Sequence, residues 1–406
     1  MNTSMQQLNQ MIVKPKSKID HIEDFLNARY DLRYNIVTTR VEFKSKENQA
    51  FEELSEMAAN SMYLEAQRHF LGCKESVFFR ILNSDFIEAY DPFNEYFSNL
   101  PWDGKDYISD LAGTVTTENQ TFWKFILKKW LVAVVAGAVS DNPNHSVLVL
   151  SGGQGMGKTT WLENLLPKSL KGYIHSGSIN PHHTDTLTNL YETLLINLDE
   201  LENLNSYEQG NLKEVITKRT IRQRRPYARF HTTYKRRASF MGSINDSEFL
   251  TDVTGNRRYL CFTAQHIKEK HGINMDDVYA QAYHLFKNGE NGGPFRYWFN
   301  AEEIKQIEAH NENYRRIPIE EELINKYFLP TSDDLPEEFM TPTEILYHIN
   351  DYEGTTMLYP ASLKRMGQVL QKKGFRKKST TSSKPYRVFK TDARKRSAHN
   401  IGFQYE

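Results

Sequence analysis

HSVLVLSGGQGMGKTT, residues 145–160, is an apolar run that passes directly into a glycine-rich loop and a lysine. Gly152, Gly157, Lys158 and Thr159 complete the spacing G-x-x-x-x-G-K-[ST]. In such a loop successive backbone N–H groups turn inward onto phosphate oxygens with no Cβ in the way. A helix opening near Lys158 adds its positive dipole end. The stretch therefore predicts a triphosphate cradle made of Gly152, Gly153, Gln154, Gly155, Met156, Gly157, Lys158, Thr159 and Thr160. Lys158 reaches the β- and γ-phosphates and the Thr159 hydroxyl offers a ligand to Mg²⁺, so ATP and Mg²⁺ are the expected cofactors. The alternative, a glycine turn that binds nothing, leaves the preceding strand and following helix without a purpose.

Working outward, LLINLDEL (194–201) ends a second apolar strand in two acids. Asp199 is placed to hold Mg²⁺ together with Thr159, and Glu200 to orient or deprotonate an attacking water. A third strand, RASFMGSIN (237–245), ends in Asn245, which reads equally as a contact to the γ-phosphate and as a turn former. FLTDVTGNRRYLCF (249–262) then sets Arg257 and Arg258 after a turn and before an apolar strand. Two readings stand for them, an arginine finger toward a neighbouring subunit's nucleotide or an ordinary salt-bridging pair.

Between the acids and Asn245, residues 213–237 are strongly basic, with Lys or Arg at 213, 218, 219, 222, 224, 225, 229, 235, 236 and 237 against one acid, Glu214. IRQRRPYARFHTTY interleaves these charges with Pro226, Tyr227, Phe230 and Tyr234, which predicts a β-hairpin standing out from the core. Lys218, Arg222, Arg224, Arg225, Arg229 and Lys235 are the candidate contacts to a phosphate backbone, with aromatic neighbours for unstacked bases. The bland alternative is a solvated charged face. It has to explain a basic insertion in a chain whose 51 basic and 51 acidic residues cancel.

The remaining features bound the protein. Its 406 residues predict two or three domains, and 25% charged with 39% hydrophobic residues is the composition of a soluble globular chain. Cys73 and Cys261 are the only cysteines and lie outside any metal-ligand spacing, which fits a reducing compartment. FWKFILKKWLVAVVAGAV (122–139) is too interrupted by Lys124, Lys128 and Lys129 to span a membrane, and the N-terminus has no signal-peptide core. A cytoplasmic location and no membrane partner are expected. The alternation of helix and strand from 121 to about 265 predicts a parallel α/β sheet. TPTEILYHIN, SLKRMGQVLQKKGF and RKKSTTSSKPYRVFK predict helix, helix and basic β-wing, a winged-helix pattern suited to duplex DNA, with a protein-docking module as the alternative. The expected divisions are 1–110, mostly helical; 111–315, the nucleotide core; 316–340, an acidic linker; and 341–406, the basic module.

GGQGMGKT, LLINLDEL, the basic hairpin, FMGSIND and DVTGNRRYL, in this order, resemble superfamily 3 helicases. Within them the set is most similar to the virulence-associated E family of phages and mobile genomic islands, related to poxvirus-type primase-helicases. DPFNEYFSNLPWDGK (91–105) resembles that family's lead-in. The resemblance implies an α/β fold with an AAA+-like P-loop ATPase core, a helical N-terminal collar and a small C-terminal winged-helix module. It implies a homo-hexameric ring on single-stranded or forked DNA, with Asn245 as sensor and Arg257 or Arg258 as finger. Its activity would be ATP-driven unwinding. DNA-stimulated origin remodelling or loading, and a nucleotide-dependent regulatory scaffold, are the competing functions. Relatives carry an N-terminal primase, but no acidic metal triad or zinc cluster is recognisable before residue 110, so a separate primase or replication initiator is the expected partner.

Overall fold

In the computed structural model, which describes residues 16–69, 72–180, 183–198, 201, 206–225, 229–245, 248–250, 256–330, 338–354, 357–378 and 384–391, the chain opens on a small mixed module. Residues 1–110 were expected to be mostly helical, and the described part carries several helices together with a small four-stranded sheet. Helix α1 (Lys18–Arg29) starts at a capping box in which the Ser17 hydroxyl accepts from the Asp20 N–H and the Asp20 carboxylate accepts from the Ser17 N–H. It feeds the antiparallel pair β1 (Tyr30–Asn35) and β2 (Arg40–Ser45). Strand β3 (Glu52–Glu53), helices α2 (Glu56–His69) and α3 (Glu75–Leu82) and strand β4 (Ala89–Tyr90) complete it, with strand order β3-β2-β1-β4. The Asn35 amide donates to the Tyr173 hydroxyl at 2.8 Å and ties this module to the core.

Helices α4 (Pro92–Ser98) and α5 (Tyr107–Ala112) and strand β5 (Val115–Thr117) lead into α6 (Gln120–Val139), the apolar segment noted above. Its apolar side chains are consumed by the core, which explains their density without a membrane. Lys129 lies buried among them, where Glu303 carboxylate oxygens at 2.9 Å neutralise it and burial pushes its pKa down. No described helix is long and apolar enough to cross a membrane.

The main sheet follows: β6 (Val147–Ser151), α7 (Lys158–Glu163), β7 (Ile174–Ser176), α8 (Thr184–Glu192), β8 (Leu195–Leu198), α9 (Ser206–Thr217), the hairpin β9 (Thr220–Gln223) and β10 (Thr232–Lys235), then β11 (Ser239–Ile244) and β12 (Tyr259–Ile267). Strand order is β5-β12-β6-β11-β8-β7, parallel throughout except for β5. Continuous apolar strands are what a sheet covered on both faces requires. Leu148 and Leu150 enter one core with α6 and α10 (Met275–Asn288), while Val147 and Val149 enter the other with α8 and α9. Strand β11 lies between β6 and β8, so the chain leaves these three strands side by side on one edge. Helix α11 (Ala301–Asn311) closes the core.

The stretch expected as an acidic linker, 316–340, is folded in its described part. It forms α12 (Ile319–Tyr327), β13 (Phe328–Pro330) and β14 (Glu338–Met340); α13 (Pro342–Glu353), α14 (Leu363–Lys372) and β15 (Tyr386–Lys390) follow, in an antiparallel sheet ordered β13-β15-β14. Its acids are counter-ions to the basic segment behind it. Glu320 faces Arg365 at 3.5 Å, Glu338 faces Lys390 at 2.5 Å, and buried Glu321 meets Lys373 at 3.0 Å and Arg315 Nη2 at 2.7 Å. Arg315 and Lys373 hold the Glu321 carboxyl down from the usual 4.5 to about 2. A depressed carboxylate stabilises fully above its unfolded value and loses that contribution as pH falls toward its folded one. Glu321→Gln should therefore cost about 3 kcal/mol at neutral pH. The difference from wild type should shrink between about pH 4.5 and about pH 2 in denaturant unfolding at stepped pH.

Candidate functional site

The glycine loop leaves β6 at the edge where β11 and β8 also end. Gly157 has φ +80°, a left-handed conformation that glycine adopts without strain. A Cβ built there would lie 2.5 Å from Glu269 Oε2, so any side chain would have to displace the Glu269 carboxylate. Lys158 is buried and its Nζ donates to the Gly152 carbonyl at 2.7 Å, the Gly153 carbonyl at 2.8 Å and Asn245 Oδ1 at 3.1 Å. The Thr159 and Ser243 hydroxyls are 3.1 Å apart. Residues 154–160, Ser243, Asn245 and Glu269 together line a cavity of about 540 Å³. The structure thus joins the loop and Asn245, two separate readings of the sequence. It adds Ser243 and Glu269, which the sequence reading missed. Strand alternation could have found Ser243, two residues before Asn245. Nothing local marks Glu269.

Strand β8 ends at Leu198 on this same edge, and the two acids expected next in the chain, Asp199 and Glu200, lie outside the described residues. Among the described residues no cluster of His, Cys, Asp or Glu could hold a metal ion.

Arg257 and Arg258 sit at the opposite end. They belong to a short turn, Asn256–Arg258, immediately before β12, and β12 begins level with the first residue of β6. The five residues of β6 separate them from the glycine loop, roughly 17 Å at strand rise. The buried Asn311 amide pins the turn by donating to the Asn256 and Tyr259 carbonyls, each at 2.8 Å. Both arginines line a second cavity of about 340 Å³ with Trp130, Asn144, His145 and Trp298. Burial and the positive charges of Arg236, Arg219 and Arg258 push the His145 pKa down, so the field there favours anions.

The basic segment divides by strand alternation. On β9 and β10 Ile221 and Gln223 are buried and Tyr234 half-buried, whereas Thr220, Arg222, Thr233 and Lys235 face outward. Arg224 and Arg229 are also exposed, and Phe230 is 79% exposed beside them; Pro226 and Tyr227 lie outside the described residues. Arg225 turns inward. It forms an ion pair with Glu192 and lies 5.5 Å and 5.8 Å from the ring centres of Tyr191 and Tyr234, which stack at 4.1 Å. Lys218 pairs with Glu214 and Lys235 with Asp141, both at 2.8 Å or less. Arg236 and Arg237 are buried: Arg236 donates to the carbonyls of Lys218, Ile216, Asn144 and Ala238, and Arg237 pairs with Asp91 at 2.8 Å. Desolvation drives the Arg236 pKa down to about 9. Four carbonyl acceptors hold its proton at neutral pH.

Comparison with known proteins gives one family and one fold. The sequence profile of the virulence-associated protein E-like domain matches residues 97–316. No curated protein matches the sequence. Among solved structures, the apo structure of the NrS-1 C-terminal region (305-718) is similar at TM-score 0.52 and 12% identity, over 92% of this chain and 99% of that one. The A form apo structure of the same region gives TM-score 0.51 and 11% identity, over 91% and 99%.

The two kinds of hairpin arginine should separate in a stability measurement. Arg225→Ala removes the ion-pair partner of half-buried Glu192 and should cost about 2 kcal/mol in chemical denaturation. Arg222→Ala, on the outward face, should change stability by less than about 0.5 kcal/mol.

Proposed function

We propose that this chain, which belongs to the virulence-associated protein E-like family, is an ATP-driven DNA helicase that works as a ring of copies in replication of a phage or mobile genomic island. The observation that carries the reading is the placement of its charged groups. Lys158 and Asn245 meet at one end of a parallel sheet, Arg257 and Arg258 stand at the other, and a hairpin with outward basic residues precedes β11. A site that needs all these groups is completed only when the loop end of one copy meets the arginine end of the next. Such a head-to-tail contact closes into a ring.

The residues fit a nucleoside triphosphate. Gly157 takes the left-handed backbone that favours glycine, and the three acceptors now held by Lys158 Nζ are what phosphate oxygens would replace. Lys158 would neutralise the terminal phosphates, Asn245 would hold the γ-phosphate or its attacking water, and Glu200 would orient or deprotonate that water. Thr159 and Asp199 would hold Mg²⁺, which when bound supplies charge neutralisation at the β- and γ-oxygens. Arg257 or Arg258 would stabilise transition-state charge in the neighbouring copy.

Arg222, Arg224, Arg229 and Lys235, with Phe230 for stacking, would grip one DNA strand, and hydrolysis would move the hairpin along it. Arg225 is better read as the hairpin's anchor. The order helix α12, strand β14, helices α13 and α14, strand β15 supports a winged-helix reading of the C-terminal module, whose exposed Lys364, Arg376, Lys377 and Lys378 would meet duplex or fork.

ATPase and fork-unwinding assays, each with and without single-stranded DNA, test the proposal. Wild type should show DNA-stimulated hydrolysis and strand displacement. Stimulation without displacement would favour an origin remodeller or loader. No response to DNA would favour a regulatory scaffold. Lys158→Ala should abolish nucleotide binding, whereas Glu200→Gln should still bind ATP and hydrolyse it on the order of 100-fold more slowly. Arg222→Ala with Arg224→Ala should spare basal hydrolysis and lower the slope of log affinity against log salt by about two.

A further inference from the structure

Glu269 has no part in the scheme above, yet it occupies a decisive position. It lines the cavity of the glycine loop and also a neighbouring cavity of about 600 Å³. Its carboxylate lies against Gly157, as the 2.5 Å approach to a Cβ built there shows. Its backbone is fixed on both sides: the Lys268 N–H donates to the Thr114 carbonyl at 2.8 Å, and the Asn164 amide donates to the Glu269 carbonyl at 3.2 Å. The side chain therefore projects from an anchored backbone.

The loop cavity has a direction. Lys158 and Asn245 define the end that suits the terminal phosphate, and Glu269 stands toward the other cavity. A triphosphate seated this way sends its nucleoside past Glu269. There the second cavity offers buried Leu166 and Met275 as an apolar floor and His271 and Asn274 as polar edges. The Ile273 N–H donates to His271 Nδ1 at 3.1 Å and fixes the ring in place. A ribose at the junction presents two hydroxyl donors, and an ionised carboxylate is a pure acceptor. Such pairs are charge-assisted and stronger than neutral hydrogen bonds.

We infer that Glu269 is the ribose-binding residue of this site, that the neighbouring cavity receives the base, and that the protein consequently selects ribonucleoside over 2′-deoxyribonucleoside triphosphates. The inference rests on the nucleotide reading proposed above. It also gives the carboxylate two positions. Against the loop it repels an incoming phosphate, and turned onto the ribose it no longer does, so only a ligand carrying both parts relieves the repulsion fully.

Calorimetric binding of ATP, 2′-deoxy-ATP and inorganic tripolyphosphate to the full chain, wild type against Glu269→Ala and Glu269→Gln, tests this. Wild type should bind ATP about tenfold more tightly than 2′-deoxy-ATP, the size of one charge-assisted hydrogen bond. Glu269→Ala should bring the two within about twofold, and Glu269→Gln, which keeps one carbonyl acceptor, should fall between. Tripolyphosphate should bind Glu269→Ala at least as tightly as wild type, which also reports that the variant is folded. Equal affinities in wild type, or discrimination that survives Glu269→Ala, would overturn the inference while leaving the nucleotide site intact. Failure of wild type to bind either ATP or tripolyphosphate would instead remove the nucleotide reading, and this inference with it.

Discussion

A parallel sheet buried on both faces has only its two ends free for chemistry, and here the ends are unlike. Strands β6, β11 and β8 finish together, so the glycine loop, Asn245 and the end of β8 at Leu198 gather on one edge. The turn carrying Arg257 and Arg258 precedes β12 on the other. The packing that assembles the loop end also holds the arginines away from it, because a close-packed core does not deform over such a distance. A composite site between copies follows from that separation, in the proposed function, rather than from any single motif.

Charge in this protein does two jobs, and the period of the strand sorts them. On the hairpin, Arg222 and Lys235 point outward while Arg225 is drawn in beneath the Tyr191–Tyr234 stack. Arg236 and Arg237 continue inward, satisfied by carbonyls and by Asp91. Buried charge of this kind is costly unless fully partnered. Its partners fix the base of the hairpin on α8 and on the start of β11, the strand that runs to Ile244 beside Asn245. The C-terminal module shows the same economy, with the acids of α12 neutralising Arg365 on α14 and Lys373 at its end.

Much of this was legible in the sequence because it is local. The runs HSVLVL and TLLINL name buried strands, the loop spacing names the cradle, and alternation names the hairpin. What escaped depends on contacts between distant segments. Strands β3 and β4 are two residues each, so helical spacing around them dominates the pattern. Residues 319–330 looked like a spacer because their acids have partners that lie far along the chain, such as Lys373. Arg225 could not be told from Arg224 without knowing that Glu192 lies beside it. Glu269 and Asn311 are single polar residues whose roles exist only once the sheet is folded.

The composite site is tested most directly by mixing subunits. Lys158→Ala keeps its arginines, and a variant with Arg257→Ala and Arg258→Ala keeps its loop. Each alone should hydrolyse ATP negligibly. Mixed in equal amounts, about a quarter of randomly formed interfaces would join an intact loop to intact arginines, and roughly that fraction of wild-type ATPase should return. No recovery on mixing, or full activity of the double arginine variant by itself, would contradict a site shared between copies.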